Sequence, residues 1–142
     1  MILYTTVGTA DLARSVRFYD AVFACLGVKR LDDIGEGWAG WGQDYDHGFG
    51  FWVSPTWNGA QPSCGNGTMF AFRAADAGQV DAFHHTALAH GGNDEGPPGT
   101  RSYYGPRFYV AYVRDPDGNK LACVFHHYEG GAIPAGAATQ PQ

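Results

Sequence analysis

The sequence has little charge and no basic segment. Only 16% of its 142 residues are charged, and nine Lys and Arg against fourteen Asp and Glu give a formal charge of −5. Proteins that bind nucleic acid need a positive surface to contact phosphates, and this chain offers none in its sequence. We therefore expect no nucleic-acid partner.

Cysteines are also few. Cys25, Cys64 and Cys123 are odd in number and have none of the short spacings of zinc or redox motifs. Unpaired thiols are typical of a reducing compartment, so we expect a cytoplasmic protein. Residues 1–7 carry no basic leader, and Asp11 and Arg14 soon follow them, which predicts neither a signal peptide nor a membrane segment.

The first half of the chain has the pattern of a β-α-β-β-β unit. Residues 2–8 are rich in β-branched side chains, and Asp11 can cap a helix whose apolar residues recur at spacings of three and four. Short apolar runs at 28–31, 38–41 and 49–53 are separated by Gly and Asp and predict strands. This first module covers about residues 1–57.

The second half repeats this pattern. Sliding the chain on itself by 65 residues superposes Asp11 on Asp76 and Phe18 on Phe83, at a helix cap and a core position. We predict a strand at 68–73, a helix after Asp76, a loop at 91–105, and a hairpin of strands 108–113 and 120–126. The second module covers about 65–128, the two modules form one domain at 1–128, and the tail 129–142 is expected to be disordered.

Two motifs carry a family resemblance. The first is a helical run, Asp11-Leu12-x-x-Ser15-x-x-Phe18-Tyr19, and the second is a turn, Asp115-Pro116-Asp117-Gly118-Asn119. Together with the repeated unit, these motifs resemble those of the vicinal oxygen chelate superfamily. That superfamily includes glyoxalase I, bleomycin-resistance proteins and extradiol dioxygenases. The resemblance implies an α+β fold in which two βαβββ modules form a curved mixed sheet around a cup. It also implies a homodimer, and a metal ion commonly bound in the cup.

The positions where the resemblance places metal ligands lack suitable donors. The first-strand position falls at Tyr4, and the repeat carries it to Met69. The last-strand position falls at Ala122, and its counterpart in the first half is Phe51. A phenol and a thioether are poor ligands for the metals of this family, and methyl and phenyl groups cannot coordinate at all. We expect no cofactor and no metal at the usual site.

Strand pairing predicts which side chains line the cup. Pairing of Arg114 with Lys120 sets Tyr112 opposite Ala122, and the same logic in the first module sets Trp41 opposite Phe51. The resulting surface is apolar with a few polar groups, which suits a hydrophobic or aromatic ligand. The same rings could instead fill the cup completely. The candidate ligand-binding residues are Tyr4, Thr6, Trp41, Phe51, Met69, Tyr112, Ala122, Val124 and His126.

These observations support one leading function and two alternatives. The leading hypothesis is a protein that binds a hydrophobic or aromatic small molecule without a metal. The first alternative is a metal-dependent lyase, isomerase or ring-cleaving dioxygenase with relocated ligands such as His126, or with Tyr4 as an acid or base. Only this alternative requires a divalent metal. The second alternative is a filled domain whose role is dimerisation alone.

Overall fold

The computed structural model describes residues 1–31 and 37–130. Most of the predicted tail, from residue 131 onward, therefore lies outside the described residues. The elements in chain order are β1 (Tyr4–Gly8), α1 (Leu12–Ala24), β2 (Ala39–Gly42), β3 (Gly50–Ser54), β4 (Met69–Arg73), α2 (Ala77–Ala89), β5 (Asn93–Arg101), β6 (Gly105–Arg114) and β7 (Lys120–Phe125).

Both helices begin at the aspartates that the sequence predicted as caps. The Asp11 carboxylate accepts a hydrogen bond from the backbone N–H of Arg14, and Asp76 accepts one from Gln79. Each cap satisfies one of the backbone donors that a helix start leaves free. In the described part of the chain, no helix is long and apolar enough to cross a membrane.

The strands form two mixed sheets, one from each module. The strand order is β1-β3-β2 in sheet one and β4-β7-β6-β5 in sheet two. In each sheet the first strand of the module pairs in parallel with the last, and the remaining pairs are antiparallel. This arrangement confirms the predicted α+β fold of two βαβββ-like modules. The strand predicted at 28–31 is reduced to one bridge, between Arg30 and Trp41.

The prediction of a loop at 91–105 is wrong. Residues Asn93–Arg101 form the edge strand β5, which pairs with β6 through several register shifts. Pro97 and Pro98 lie between the paired residues Gly96 and Gly99, where no ladder hydrogen bond is required of them. Proline lacks the N–H that a central strand needs, but an irregular edge strand tolerates it.

The two modules share one hydrophobic core. Phe23 of α1 packs edge-on against Phe72 of β4, and Phe72 in turn contacts Phe51 of β3 and Phe83 of α2. The core lies between the sheets and the two helices, which contact each other. The face of each sheet that packs on this core is called the helix face, and the opposite face is called the outer face.

A buried carboxylate in the turn between β6 and β7 joins this turn to the start of α1. The side chain of Asp117 is 3% exposed, and its oxygens accept hydrogen bonds from the Thr9 hydroxyl (2.6 Å), the Ala10 N–H (3.1 Å) and the Ser15 hydroxyl (3.2 Å). The Arg14 guanidinium completes the set at 2.8 Å. These contacts hold the two modules together at sequence separations above 100 residues.

Asp115 of the same turn has a separate role. Its carboxylate accepts hydrogen bonds from the backbone N–H groups of Asp117 and Asn119, which shapes the turn, and from the Tyr19 hydroxyl at 2.6 Å. Burial, and then the negative charge of Asp115, raise the pKa of Tyr19 well above its ordinary value. Tyr19 therefore remains a hydrogen-bond donor to this carboxylate throughout the physiological pH range.

We expect Asp117→Asn to lower the free energy of unfolding by about 2–4 kcal/mol, since it removes a buried charge from its cationic and hydroxyl partners. Urea unfolding followed by circular dichroism measures this loss. Asp46→Asn is the matched control, because Asp46 is exposed and its side chain has no partner within the described residues. Equal stabilities of the two variants would contradict the proposed role of Asp117.

Candidate functional site

On the outer face of sheet two, the predicted register is confirmed. Tyr112 pairs with Ala122, and Val110 with Val124. Val110 and Ala122 are fully buried, Tyr112 is 5% exposed, and half-buried Met69, Phe108 and Val124 pack around them. This face therefore forms a small closed cluster of its own, and there the interior is largely filled.

A buried arginine contributes to this closure. The Arg101 side chain reaches back along β5, and its guanidinium carbon lies 5.7 Å from the centre of the Tyr112 ring. Arg101 is 5% exposed and donates hydrogen bonds to the carbonyls of Pro97 (2.7 Å) and Thr100 (3.3 Å). Carbonyl groups solvate this charge, and no ion pair of Arg101 with a carboxylate is present within the described residues.

In sheet one, the prediction that Trp41 and Phe51 share a face with Tyr4 is wrong. Parallel pairing aligns Tyr4 with Gly50, so Phe51 and its partner Trp41 point to the helix face. Both are almost fully buried against Tyr19 of α1. The indole N–H of Trp41 donates to Asp20 at 2.9 Å. These two rings belong to the hydrophobic core.

The outer face of sheet one instead carries a different set of rings. Half-buried Trp52 lies flat on the sheet because Gly40 and Gly50, its neighbours on this face, have no side chain. A Cβ at Gly40 would lie 2.8 Å from the indole ring. The ring of Tyr4 stacks against that of Tyr45, with centroids 5.8 Å apart. We call Tyr4, Tyr45 and Trp52 the aromatic platform.

The three rings of the platform meet around Gly50. A Cβ at that position would lie 2.9 Å from the Trp52 Nε1 and 3.4 Å from the Tyr45 ring. Thr6, a predicted site residue, pairs with Trp52 and is exposed beside it. Strand alternation separates Trp52 from Phe51 and Val53. Phe51 was assigned to the cup from the sequence, and Trp52 was therefore assigned to the face away from it. Tyr45 lies in the loop after β2, where strand periodicity gives no signal.

His126 lies outside both groups of rings. It follows the end of β7, is exposed, and its ring lies 4.0 Å from that of His127. The positive charge of His127 is the main cause that lowers the pKa of His126 below its ordinary value. This location does not bring His126 to the Tyr112 cluster, and its ligand-binding role remains a prediction.

The residues present do not fit the metal that the family resemblance implies. Tyr4, Phe51, Met69 and Ala122 offer a phenol, a phenyl, a thioether and a methyl group. Residues 1–31 and 37–130 contain no cluster of three or more His, Cys, Asp or Glu side chains that could hold a metal ion. Cys123, beside Ala122, is buried in the core, and this burial raises the pKa of its thiol to about 12. A protonated thiol is a poor metal ligand.

Paired modules with parallel first and last strands define the architecture of the glyoxalase class. A sequence profile of the Glyoxalase/Bleomycin resistance protein/Dioxygenase superfamily matches residues 1–123. A glyoxalase/bleomycin resistance protein from Albidiferax ferrireducens T118 is 34% identical, with a TM-score of 0.77, and the match covers 87% of this chain and 97% of that one. The chain therefore belongs to the glyoxalase/bleomycin resistance/dioxygenase superfamily.

Other solved structures share the fold alone. A glyoxalase-related enzyme from Fulvimarina pelagi is 22% identical with a TM-score of 0.71, covering 94% of this chain and 96% of that one. Glyoxalase I from Zea mays is also 22% identical, with a TM-score of 0.66, and the match covers 89% of this chain but 45% of the maize protein. No curated protein sequence matches this chain.

We expect Gly40→Ala to destabilise the protein by about 1–3 kcal/mol, because the added methyl group displaces the Trp52 indole from the sheet. In a Trp52→Ala background the same substitution meets no ring and its cost falls below about 1 kcal/mol. Urea unfolding of the four proteins in this cycle measures the coupling. Equal costs in both backgrounds would show that the indole does not lie on Gly40.

Proposed function

We propose that the chain is a metal-independent binding protein for a small molecule with a hydrophobic or aromatic body, held on the outer face of sheet one. The observation that carries this proposal is the meeting of Tyr4, Tyr45 and Trp52 around Gly50. Concave sites that bind organic molecules are lined mainly by such rings, with a few polar groups among them.

The exposure of the platform supports a role in binding. Tyr4 is 52% exposed and Tyr45 is 46% exposed, although both are large apolar side chains. A cluster of exposed rings is unfavourable in water, and such clusters commonly mark a ligand or protein contact. On the outer face of sheet two, in contrast, the Tyr112 ring is covered and only 5% exposed.

One polar group of the platform adds specificity. The indole N–H of Trp52 is buried and has no hydrogen-bond partner in the described structure. A buried donor without a partner costs about 1–3 kcal/mol. A ligand that presents a carbonyl or hydroxyl oxygen to this N–H would recover that cost. We therefore propose a ligand that joins a flat ring to a hydrogen-bond acceptor.

The proposal does not require chemistry at the site. Sequestration of a small molecule needs a complementary surface and no reactive group, and the residues at the usual ligand positions support this simpler role. We retain a cytoplasmic location as part of the proposal, supported by Cys25, Cys64 and Cys123, all of which are free thiols.

The neutral fluorescent probe N-phenyl-1-naphthylamine tests the proposal. We expect it to bind the wild-type protein with a rise in probe fluorescence, and to bind Tyr4→Ala or Trp52→Leu about tenfold more weakly, since each substitution removes one aromatic contact. Binding should be unchanged by EDTA, because no metal takes part. Fluorescence titration gives the dissociation constant of each variant.

Trp57→Leu is the matched control, because Trp57 is fully exposed and makes no contact with the platform. If Trp57→Leu weakens binding as much as Trp52→Leu, the probe binds elsewhere and the proposal fails. Loss of binding with EDTA would instead favour the metal-dependent alternative.

We also propose that the chain forms a homodimer. In sheet one the outer side of β1 has no strand partner within the described residues, since the strand order is β1-β3-β2. Ile2 and Leu3, next to this edge, are 69% and 46% exposed. An open strand edge flanked by exposed apolar side chains favours association with a second chain.

Sedimentation equilibrium tests the dimer. We expect the wild-type protein to have twice the mass of one chain, and Leu3→Lys to weaken association by about tenfold or more, because it places a charge in an apolar contact. Leu88→Lys makes the same change at an exposed position of α2 and should leave the mass unchanged. A wild-type monomer would disprove the proposal.

A further inference from the structure

A cavity separate from the aromatic platform opens at the N-terminal ends of β4 and β7. Its volume is about 480 Å³, which is the size of a site for a small organic molecule. The segment 64–68, which joins the two modules, forms one wall, and Met69, Arg114 and Lys120 form the other.

The charged side chains around the cavity have one sign. Lys120 and Arg114 line it, and none of its lining residues is acidic, although the chain as a whole has a formal charge of −5. The Arg114 Nε donates to Glu95 at 2.9 Å, so its charge is largely balanced. Lys120 has no carboxylate partner in the described part of the chain, and its charge is not balanced.

The Lys120 ammonium group is held in place by an aromatic ring. Its nitrogen lies 5.3 Å from the centre of the Tyr112 ring, and the buried guanidinium of Arg101 lies 5.7 Å from the same centre. Two cations around one ring raise the local positive potential, and neither forms an ion pair with a carboxylate among the described residues. A half-buried cation without a counter-charge is a favourable partner for an anion.

The polar groups of the opposite wall suit the same ligand. Asn66 and Thr68 line the cavity, and their side chains carry an amide and a hydroxyl, both able to donate hydrogen bonds to an oxyanion. Met69 supplies an apolar surface beside them. The cavity thus combines charge, donors and an apolar contact, which together fit a small organic anion rather than a neutral hydrocarbon.

We propose that this cavity is an anion-binding site that takes the carboxylate or phosphate group of a small molecule, with Lys120 as the principal counter-charge. Arg114, Asn66 and Thr68 orient the group, and Met69 contacts the ligand body. The site is distinct from the aromatic platform, and the proposal does not depend on that platform binding a ligand.

Nuclear magnetic resonance titration of the ¹⁵N-labelled protein tests this proposal with three probes: benzoate, inorganic phosphate and benzamide. We expect benzoate or phosphate to shift the backbone amide signals of residues 65–69, and benzamide, which has no charge, to leave them unchanged. Binding should weaken as salt is added, because the attraction is electrostatic. Whether benzoate or phosphate binds more tightly distinguishes a carboxylate ligand from a phosphate ligand.

Two variants identify the cation. Lys120→Gln should weaken anion binding by about tenfold or more, since a hydrogen bond to a charged group is lost. Lys29→Gln removes the same charge from an exposed position and should bind as the wild type does. The ¹⁵N spectrum shows whether each variant is folded, and should Lys120→Gln not fold, Lys120→Arg retains the charge and should retain binding.

Three results would overturn the proposal: no shift of residues 65–69 with either anion, equal binding of benzamide, or undiminished anion binding by folded Lys120→Gln. These results are separable from failure of the proposed function, because N-phenyl-1-naphthylamine is uncharged and its binding depends on Tyr4 and Trp52. Either site can therefore be disproved while the other is retained.

Discussion

The fold depends on two buried carboxylates in one turn. Asp115 and Asp117 lie between β6 and β7, near the end of the domain, yet each has a partner in α1 or the segment before it. Burial of a carboxylate is unfavourable unless donors surround it, and here hydroxyls, backbone N–H groups and one guanidinium do so. The donors to Asp117 come from the first module, so this carboxylate is satisfied only when the two modules are packed together. The turn thereby links sheet two to the start of α1.

The sequence predicted both helices and most of the strands, because helix caps and turns are local signals, but it missed β5. Asp11 and Asp76 each act within one helical turn, and the hairpin register of sheet two follows from the short turn that joins its strands. The register of sheet one was harder, since β1 pairs in parallel with β3 across more than 40 residues. No turn fixes such a pair, and an error of one residue exchanges the two faces. The prediction placed Phe51, instead of Trp52, on the same face as Tyr4, so the aromatic platform was not predicted.

Outside their common helix face, the two modules have diverged in chemistry while keeping the same architecture. In sheet one, glycines at positions 40 and 50 leave room for Trp52 on the outer face, and rings from β1 and the neighbouring loop lie beside it. In sheet two, small side chains such as Ala122 occupy the corresponding face, and Arg101 lies over the Tyr112 ring. A repeated unit thus provides one outer face with exposed aromatic rings and another whose aromatic ring is flanked by Arg101 and Lys120. Such a division is available to any duplicated fold, because substitutions on an outer face leave the shared core unchanged.

The irregular edge strand β5 has a consequence for how far these molecules can associate. Its two consecutive prolines offer no N–H to a further strand, and its register shifts prevent a straight ladder on that side. The outer side of β2 is likewise met by the bridge to Arg30. Within the described residues, the edges that remain open to pairing are therefore β1 and β4. Pairing of one such edge with the same edge of a second chain uses that edge on both chains, so the contact closes on itself as a pair. Pairing of β1 with the β4 edge of another chain would instead extend from chain to chain, so the choice between these two contacts decides between a closed assembly and an open one.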